Sequence, residues 1–380
     1  MKIIADENIP FVKDVFSVFG EVVLSSGRNI NRGMLKDADA LLVRSITKVN
    51  EELLADTAVK FAATATIGID HIDTEYLSKA GICFASAPGS NADSVAEYVV
   101  TAVSIVADKY CFDLNGKKIG IIGAGNVGSR VEKRSKVLGM IPLLNDPPKK
   151  RETNDDKYLP LDQVLSEADI VTVHVPLNKE GMDKTYHLVD SEFIKMMKNE
   201  AVLINTSRGK VHDENVVKLM RDKLRGLVLD VWENEPEIDI DSLNVTDIAT
   251  PHIAGYSFDG KVNGTFMILD AFTSFFSLDN KIDKKPYLKS DSILTTINLT
   301  DSSNAVFDAV TKAYALIKDD ENMRNIINVP ADERKNYFDK LRKNYPVRRE
   351  FKNFTAICNA DIQGDIKAKL EGLGFKVKLK

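Results

Sequence analysis

Three segments of the sequence carry side chains whose types together could do acid–base chemistry on an anionic substrate. His252 follows a Thr-Pro pair, Arg208 lies in the run Asn-Thr-Ser-Arg-Gly, and the segment Leu229–Pro236 contains Glu233 and Glu235. An imidazole titrates near neutrality and can remove a hydroxyl proton. A guanidinium binds a carboxylate through two parallel hydrogen bonds, and a carboxylate beside the imidazole orients it and stabilises its protonated form. Such a set could remove a hydroxyl proton from a substrate whose carboxylate the guanidinium holds.

A glycine-rich turn, Gly-Ala-Gly-Asn-Val-Gly at 123–128, lies between a predicted strand, Lys118–Ile122, and a predicted helix, Ser129–Leu138. The glycines allow a tight turn and a close approach to a pyrophosphate, and the helix N-terminus offers free N–H groups. Asp146 follows the next predicted strand, where an acid accepts hydrogen bonds from ribose hydroxyls and repels a 2′-phosphate. The pattern predicts NAD as the cofactor, although the basic residues at 149–151 could tolerate a 2′-phosphate.

The elements that must position these groups alternate between strand and helix along most of the chain. Short β-rich runs and helical stretches alternate over residues 2–90 and again from 117 to about 276, with a long apolar helix predicted at Asn91–Tyr110. This alternation predicts an α/β fold with two doubly wound parallel sheets, each covered by helices on both faces. Ligands bind outside the carboxyl ends of such strands, so the three segments could converge there. Residues from about 290 to 380 predict a small α+β domain.

Composition excludes several classes of protein. With 51 Lys and Arg against 56 Asp and Glu in 380 residues, the net charge is −5, which is a poor charge for binding nucleic acid or an anionic membrane. The sequence shows neither a signal-peptide core nor about 18 consecutive apolar residues, so we expect no membrane span. Three cysteines stand far apart and outside any CxxC pattern. We therefore expect no disulfide framework, no metal site and a reducing, cytoplasmic setting.

The motifs GAGNVG, NTSRG, LDVWENEP and TPHIAGY together resemble those of the D-isomer-specific 2-hydroxyacid dehydrogenases. The resemblance implies a catalytic set of Arg208, Glu235 and His252, and it selects Glu235 over the neighbouring acids by its spacing from Asp230. One departure is Val175 in VHVPL, where a hydroxyl residue is expected. The resemblance also implies the following NAD-binding residues: Asn126, Val127, Asp146, Thr206, Ser207, Asp230 and Gly255.

Further motifs, VRSIT at 43–47, ATIGIDH at 65–71 and APGSNADSVAEY at 87–98, narrow the resemblance to one branch of that family and extend it over nearly the whole chain. For this branch the resemblance implies NAD-dependent oxidation of 4-phospho-D-erythronate to (R)-3-hydroxy-2-oxo-4-phosphooxybutanoate, in pyridoxal 5′-phosphate biosynthesis. The residues implied to touch the substrate are Ser45, Thr66 and Tyr256.

The same resemblance implies a division into three domains. A flavodoxin-like substrate domain would comprise residues 1–95 and 256–285, and a Rossmann NAD-binding domain residues 96–255. A C-terminal α+β dimerisation domain would comprise residues 286–380 and make the protein a homodimer.

Two alternatives stay open at this point. Phosphoglycerate dehydrogenase or another D-2-hydroxyacid dehydrogenase would share the core motifs, because the substrates share the carboxylate and the alcohol. A protein of another class, an NAD-sensing corepressor or scaffold, could use the same fold without turnover.

The basic stretch at 334–352 is a separate feature. It has eight Lys and Arg against two acids, a net charge of 8 − 2 = +6, and predicts a solvated helix face. A sharper hypothesis assigns Arg348 or Arg349 to the phosphate of a substrate bound in a partner subunit.

Overall fold

The computed structural model describes residues 1–289, 295–299, 304–359 and 364–380, which fall into two compact units. The first unit contains Met1–Asn91 and Ser257–Ile293, and the second contains Ala92–Tyr256 and Leu294–Lys380. The three-domain division, with boundaries at 95/96, 255/256 and 285/286, stays a prediction. None of the helices in the described part of the chain combines the length and the apolar character that crossing a bilayer requires.

The first unit is built on a five-stranded parallel sheet. Its strands are β1 (Lys2–Asp6), β2 (Glu21–Ser25), β3 (Ala40–Val43), β4 (Phe61–Thr64) and β5 (Cys83–Ala85). They pair in the order β2-β1-β3-β4-β5, which is the flavodoxin-like order and confirms the predicted fold of this part. Its helices are Val12–Phe16, Arg32–Leu35, Glu51–Leu54, Thr74–Lys79 and Phe258–Phe275, with a 3₁₀ turn at Lys285–Leu288.

Strands β3 and β4 of this sheet are buried along their whole length, because apolar residues point to both faces. One apolar cluster contains Phe16, Phe61 and Phe272, and a separate cluster contains Leu35 and Leu41. The sheet therefore separates two layers of core, as the doubly wound architecture requires.

The second unit contains a six-stranded parallel sheet. Its strands are β6 (Lys118–Ile122), β7 (Ile141–Asn145), β8 (Ile170–Val173), β9 (Ala201–Asn205), β10 (Leu224–Leu229) and β11 (Ile248–Ala249). They pair in the order β11-β10-β9-β8-β6-β7, so the order reverses at β6 and β8. Such a reversal opens a crevice at the carboxyl ends of the strands, where nucleotides bind in this architecture.

Helices flank this second sheet on both faces. They are Ala92–Lys109, Asn126–Val137, Pro147–Thr153, Leu161–Glu167, Ser191–Met196, Glu214–Leu219 and Ile240–Val245, with 3₁₀ turns at Gly209–Val211 and Arg221–Lys223. Several begin at a side chain that accepts a backbone N–H, as Asp190 and Asp213 do. The helix after the glycine turn begins at Asn126, three residues before the predicted start, because its first turn lies inside the motif.

The C-terminal part of the second unit has a small parallel sheet of its own. Its strands β12 (Thr296–Leu299), β13 (Thr355–Cys358) and β14 (Lys376–Leu379) pair in the order β12-β13-β14. Its helices are Ala305–Ala313, Leu316–Arg324, Arg334–Lys343 and Gly364–Leu373, with 3₁₀ turns at Asn325–Asn328, Ala331–Glu333 and Phe351–Asn353. One apolar cluster joins this part to the helix Ala92–Lys109 and to the larger sheet, so the two share a core.

The basic stretch at 334–352 differs from the prediction. Arg348 and Arg349 lie beyond the helix Arg334–Lys343 and are only 7% and 5% exposed. Arg348 donates to Glu97 at 3.2 Å, and Arg349 donates to Asn353 at 2.9 Å, both within the same chain. The expectation of a solvated helix face is therefore wrong for these two arginines, and so is their assignment to a partner's substrate, because each is buried against its own chain.

Candidate active site

The three segments with candidate catalytic side chains follow three adjacent strands. Asn205 of β9 lies opposite Leu229 of β10, which lies opposite Ala249 of β11. Each strand ends at that row, and the chain then enters the segments that carry Arg208, Glu235 and His252. The parallel register therefore brings all three segments to one edge of the sheet, as the sequence predicted.

His252 and Glu235 contact each other directly. The Nδ1 atom of His252 lies 2.8 Å from Oε2 of Glu235, and the other oxygen, Oε1, accepts the backbone N–H of Trp232 at 2.9 Å. Because an ionised carboxylate only accepts hydrogen bonds, the ring must carry its proton on Nδ1. Nε2 is then left with a lone pair that can accept a proton, and the His252 side chain is 31% exposed.

The ionisation of Glu235 is set by its partner. Burial alone would raise the pKa of this carboxyl, but the charge and the hydrogen bond of His252, together with the Trp232 N–H, outweigh burial and hold the pKa below its ordinary value. Glu235 is therefore an anion in the folded protein and can stabilise a protonated His252.

The turn that carries His252 is shaped by Asp230. The side chain is 1% exposed, and its Oδ1 accepts the Thr250 hydroxyl and the Ile253 N–H, each at 2.7 Å. Oδ2 accepts the Ala254 N–H at 3.0 Å. Burial raises the pKa of Asp230 to about 6, against the lowering effects of His252 and of these hydrogen bonds. These contacts hold His252 at a backbone φ of 57°, a value that residues other than glycine rarely adopt.

Arg208 lies in a turn that is organised by Asn205, a residue that we did not single out from the sequence. Oδ1 of Asn205 accepts the N–H and the hydroxyl of Ser207, and Nδ2 donates to the carbonyl of Arg208 at 3.1 Å and to Nδ1 of His212 at 2.9 Å. Asn205 is 1% exposed. An Asn at the end of a strand and before a turn is a recognised turn signal, so the position could have been identified.

A close backbone contact joins the Arg208 turn to the Glu235 segment. A Cβ added at Gly209 would overlap the carbonyl oxygen of Trp232, so only glycine fits between the two segments. Arg208 is half-buried, and its Nη1 donates to the Ser207 carbonyl at 2.8 Å. The segments of Arg208 and Glu235 are thereby held against each other.

The glycine turn has the shape that a dinucleotide requires. Gly123 has a φ of 90°, and a Cβ there would lie 2.7 Å from the His174 carbonyl. A Cβ at Gly128 would overlap the Gly123 carbonyl, whereas a Cβ at Gly125 would meet no protein atom within 4 Å and would project into open space at the start of the helix. The first and third glycines therefore serve packing, and the second keeps space free for a phosphate group.

Asp146 and its neighbours favour NAD. Oδ2 of Asp146 accepts the Ala124 N–H at 2.9 Å and Oδ1 accepts the Lys149 N–H at 3.0 Å, which places the carboxylate at the mouth of the glycine turn. The three basic side chains beyond it already have protein partners. Lys149 donates to the carbonyl of Ala124, Lys150 donates to Asp156, and Arg151 donates to Asp183. A carboxylate whose basic neighbours at 149–151 already have partners suits a ribose diol better than a 2′-phosphate.

The remaining predicted cofactor residues lie around this crevice in the second unit. Asn126 is exposed at the start of its helix, and Val127 beside it is half-buried, as is Gly255. The Thr206 hydroxyl lies 3.2 Å from Nδ1 of His174, a ring whose pKa burial lowers to about 3. Ser207 is 6% exposed, with its hydroxyl donated to Asn205.

Val175, the departure from the family pattern, packs against the glycine turn. Its Cγ1 would lie 3.0 Å from a Cβ added at Gly123. A branched apolar side chain at this point supports the turn by van der Waals contact and offers no hydroxyl to a ligand.

The predicted substrate residues are divided between the two units. Ser45 is exposed just after β3, and Thr66 follows β4, with its hydroxyl 2.7 Å from that of Thr64 and donated to the Gly68 carbonyl at 3.0 Å. Both thus lie at the carboxyl edge of the first sheet. Tyr256 is the last residue of the segment Ala92–Tyr256 and is half-buried in the second unit. Within the described ranges, no group of three His, Cys, Asp or Glu side chains could hold a metal ion.

Comparison with known proteins gives the family. Residues 100–254 match the family described as D-isomer specific 2-hydroxyacid dehydrogenase, NAD binding domain, and residues 291–374 match a domain of unknown function. The chain is 41% identical to an erythronate-4-phosphate dehydrogenase of Photorhabdus laumondii over 100% of both chains, and 40% identical to one of Shigella flexneri over 97% of both.

Solved structures agree with this assignment. A D-lactate dehydrogenase from Aquifex aeolicus, complexed with NAD and lactic acid, has 28% identity and a TM-score of 0.62, covering 72% of this chain and 95% of its own. A 3-phosphoglycerate dehydrogenase from Entamoeba histolytica with bound NAD+ shares the fold at 24% identity and a TM-score of 0.61, covering 73% of this chain and 95% of its own. The full-length identity and the NAD-binding domain together show that this chain belongs to the erythronate-4-phosphate dehydrogenase family of D-isomer-specific 2-hydroxyacid dehydrogenases.

Proposed function

We propose that this chain catalyses the NAD-dependent oxidation of 4-phospho-D-erythronate at C2 to (R)-3-hydroxy-2-oxo-4-phosphooxybutanoate, a step of pyridoxal 5′-phosphate biosynthesis. The observation that carries the chemistry is the 2.8 Å contact between His252 and Glu235 at the carboxyl edge of the second sheet. The choice of substrate is supported by the 41% identity to a relative of that name over 100% of both chains.

In this proposal His252 is the general base. Its Nε2 takes the proton of the C2 hydroxyl, while Nδ1 stays bonded to Glu235, whose negative charge stabilises the resulting imidazolium. Arg208 binds the substrate carboxylate and polarises the forming carbonyl through its planar pair of N–H donors. NAD, when bound, accepts the hydride.

The proposed cofactor contacts are those of the glycine turn and of the strand ends. Asp146 would accept hydrogen bonds from the ribose hydroxyls. The helix that begins at Asn126 would direct its N–H groups at the pyrophosphate. The other proposed contacts are Val127, Thr206, Ser207, Asp230 and Gly255. For Ser207 and Asp230 we propose backbone or edge contacts, because their side chains are already bonded within the protein.

On the substrate side, Ser45, Thr66 and Tyr256 are the proposed contacts. Ser45 is exposed at the end of its strand, which suits binding to a polar ligand. Thr66 would contact the substrate in addition to the hydrogen bonds that its hydroxyl already makes with Thr64 and with the carbonyl of Gly68.

We also propose a homodimer formed through the C-terminal sheet, in a cytoplasmic enzyme. Parallel sheets are normally covered on both faces. In β12 and β13, Ile297, Leu299, Ala356 and Cys358 are buried while the alternate residues are exposed or half-buried. A second copy would cover this other face. Sedimentation of the full chain at micromolar concentration should give twice the monomer mass, and a monomer would contradict the proposal.

The experiment that tests the proposed function is an assay of NADH formation. Purified protein with NAD is expected to turn over 4-phospho-D-erythronate and to discriminate against 3-phosphoglycerate. His252→Ala should lose turnover by roughly three orders of magnitude or more while binding NAD normally, since a general base and its partner act as a unit. Wild-type protein that binds NAD but oxidises no hydroxy acid would instead support an NAD-sensing scaffold.

A further inference from the structure

The C-terminal part of the chain contacts the segment that carries His252, within the same second unit. Oδ1 of Asp320 accepts the N–H of Ala249, three residues before His252, at 2.7 Å. Arg348 donates to the Ser94 hydroxyl, which in turn donates to the carbonyl of Ala254 at 2.7 Å, two residues after His252. The catalytic turn is thus anchored on both sides. Asp320 of the C-terminal part holds it directly on one side, and Ser94, which is hydrogen-bonded to Arg348, holds it on the other.

A third contact of the same kind is made at Tyr256. The ring of Tyr345 meets the Tyr256 ring edge-on, with centroids 5.8 Å apart and an interplanar angle of 81°. The guanidinium of Arg342, at the end of the helix Arg334–Lys343, lies 5.8 Å from the centroid of the Tyr256 ring. Tyr345 is itself fixed, because its hydroxyl donates to Asp319 at 2.8 Å.

Arg342 also acts on Glu235 through its charge. Burial would lower the pKa of Arg342, but interactions with Tyr256 and Glu235 outweigh it and raise the pKa. Conversely, Arg342 is among the groups that hold the pKa of Glu235 down. Its Nε atom is buried with no hydrogen-bond partner among the described residues. The guanidinium is held by a side-chain hydrogen bond with Tyr256, by the Tyr256 ring and by the charge of Glu235.

We propose that Arg342 is a positioning residue of the reaction, supplied by the C-terminal part of the same chain. It holds the Tyr256 ring, and its positive charge helps to keep Glu235 ionised. The C-terminal part would then belong to the catalytic unit of its own protomer, in addition to any role in dimerisation. This inference rests on the proposed function for its kinetic readout.

The direction of the charge effect follows from the groups around Glu235. His252 and Arg342 both lower the pKa of this carboxyl, His252 through its charge and a direct hydrogen bond and Arg342 through its charge. Removal of Arg342 takes away one of these two positive charges. Glu235 should then stay protonated, and so unable to stabilise an imidazolium, to a higher pH.

The test compares Arg342→Gln, which removes the charge, with Arg342→Lys, which keeps it without the planar group. For Arg342→Gln we expect the acidic limb of the kcat/KM profile to move to higher pH. For Arg342→Lys we expect that limb near its wild-type position. In both variants we expect the KM for 4-phospho-D-erythronate to rise roughly two- to tenfold, because the contact with Tyr256 is weakened. The Kd for NAD should stay unchanged.

An independent readout separates this inference from the proposed function. The side-chain carboxyl ¹³C resonance of Glu235, assigned by comparison with Glu235→Gln, can be followed against pH in the full-length protein without substrate. In Arg342→Gln this carboxyl should stay protonated to a higher pH than in the wild type, because Arg342 is among the groups that lower its pKa. Superimposable titrations, with unchanged KM, would overturn the proposal even in an active enzyme. If Arg342→Gln does not fold, Arg342→Met, which keeps the aliphatic stem, carries the same test.

Discussion

At the scale of single residues, the site depends on buried polar groups that the substrate would never touch. Asn205 donates one hydrogen bond to Nδ1 of His212 and another to the carbonyl of Arg208. The His212 ring is only 1% exposed. The orientation of the Arg208 turn therefore depends on a His212 ring whose Nδ1 carries no proton. Burial lowers the pKa of His212 to about 4, more strongly than the carboxylates around Glu233 raise it. A proton on His212 would remove the acceptor for Asn205 and disturb the turn.

This arrangement predicts a pH dependence of stability. The unfolded chain takes up a proton at His212 near pH 6.5, whereas the folded protein does so only near pH 4. The stabilisation is therefore complete above pH 6.5 and is lost as the pH falls toward 4, at up to about 1.4 kcal/mol per pH unit. His212→Gln, which keeps an acceptor for Asn205 but does not titrate, should lose less stability over this interval. Urea unfolding at several pH values measures it, and identical slopes would refute the prediction.

At the scale of elements, the site is formed where short segments leave parallel strands. The register of β9, β10 and β11 aligns Asn205, Leu229 and Ala249, and the chain reaches its catalytic residues within a few positions of that row. Glycines then decide how closely these segments and a ligand can approach. Gly209 fits against Trp232, whereas Gly125 leaves open space. The same substitution at these two positions should therefore have opposite consequences.

Gly125→Ala and Gly209→Ala form a matched pair. At Gly125 the added methyl meets no protein atom, so the free energy of unfolding should change by no more than about 0.5 kcal/mol. The Kd for NAD should rise about tenfold or more, because the methyl occupies the phosphate position. At Gly209 the methyl overlaps the Trp232 carbonyl, and we expect a loss of about 1–3 kcal/mol in stability. Unfolding curves and NAD fluorescence titrations check both, and normal NAD binding by Gly125→Ala would count against the cofactor site.

At the scale of the whole molecule, the C-terminal part is bound to the rest of the second unit by buried polar contacts as well as by apolar packing. Arg348 donates to Glu97, which is 1% exposed and also accepts the backbone N–H of Phe351 at 2.8 Å. The Arg348 guanidinium also lies 4.0 Å from the centroid of the Tyr314 ring. A buried ion pair adds little net stability over apolar packing, but it is costly to break from one side.

Arg348→Met should accordingly destabilise the protein by about 3–5 kcal/mol, because Glu97 is left buried with a weaker set of partners. The control is Lys79→Met, which removes an exposed ion pair with Glu75 and should change stability by no more than about 0.5 kcal/mol. Chemical unfolding of both variants measures the difference. Equal, small effects would mean that Arg348 does not anchor the C-terminal part.

Much of the fold was accessible from the sequence, since its signals are local. The strand Lys118–Ile122 was predicted with its observed bounds, and the long helix predicted at Asn91–Tyr110 is observed at Ala92–Lys109. Apolar runs, glycines and capping residues act within a few positions along the chain, so they can be interpreted without a structure. The flavodoxin-like fold of the first sheet, which the family resemblance implies, is also confirmed by the observed strand order.

By itself, the sequence indicated the family and the cofactor and predicted Glu235 as the partner of His252, because the motifs that contain these residues resemble those of one family. Only the tertiary structure decided how the C-terminal part contributes. No local pattern distinguishes Arg342, Arg348 and Asp320 from surface charges, yet the fold brings them to Tyr256, Ser94 and Ala249. The physical reason is that partners some 70 to 250 residues apart leave no local pattern. Whether a charge is solvated or buried depends on what packs over it.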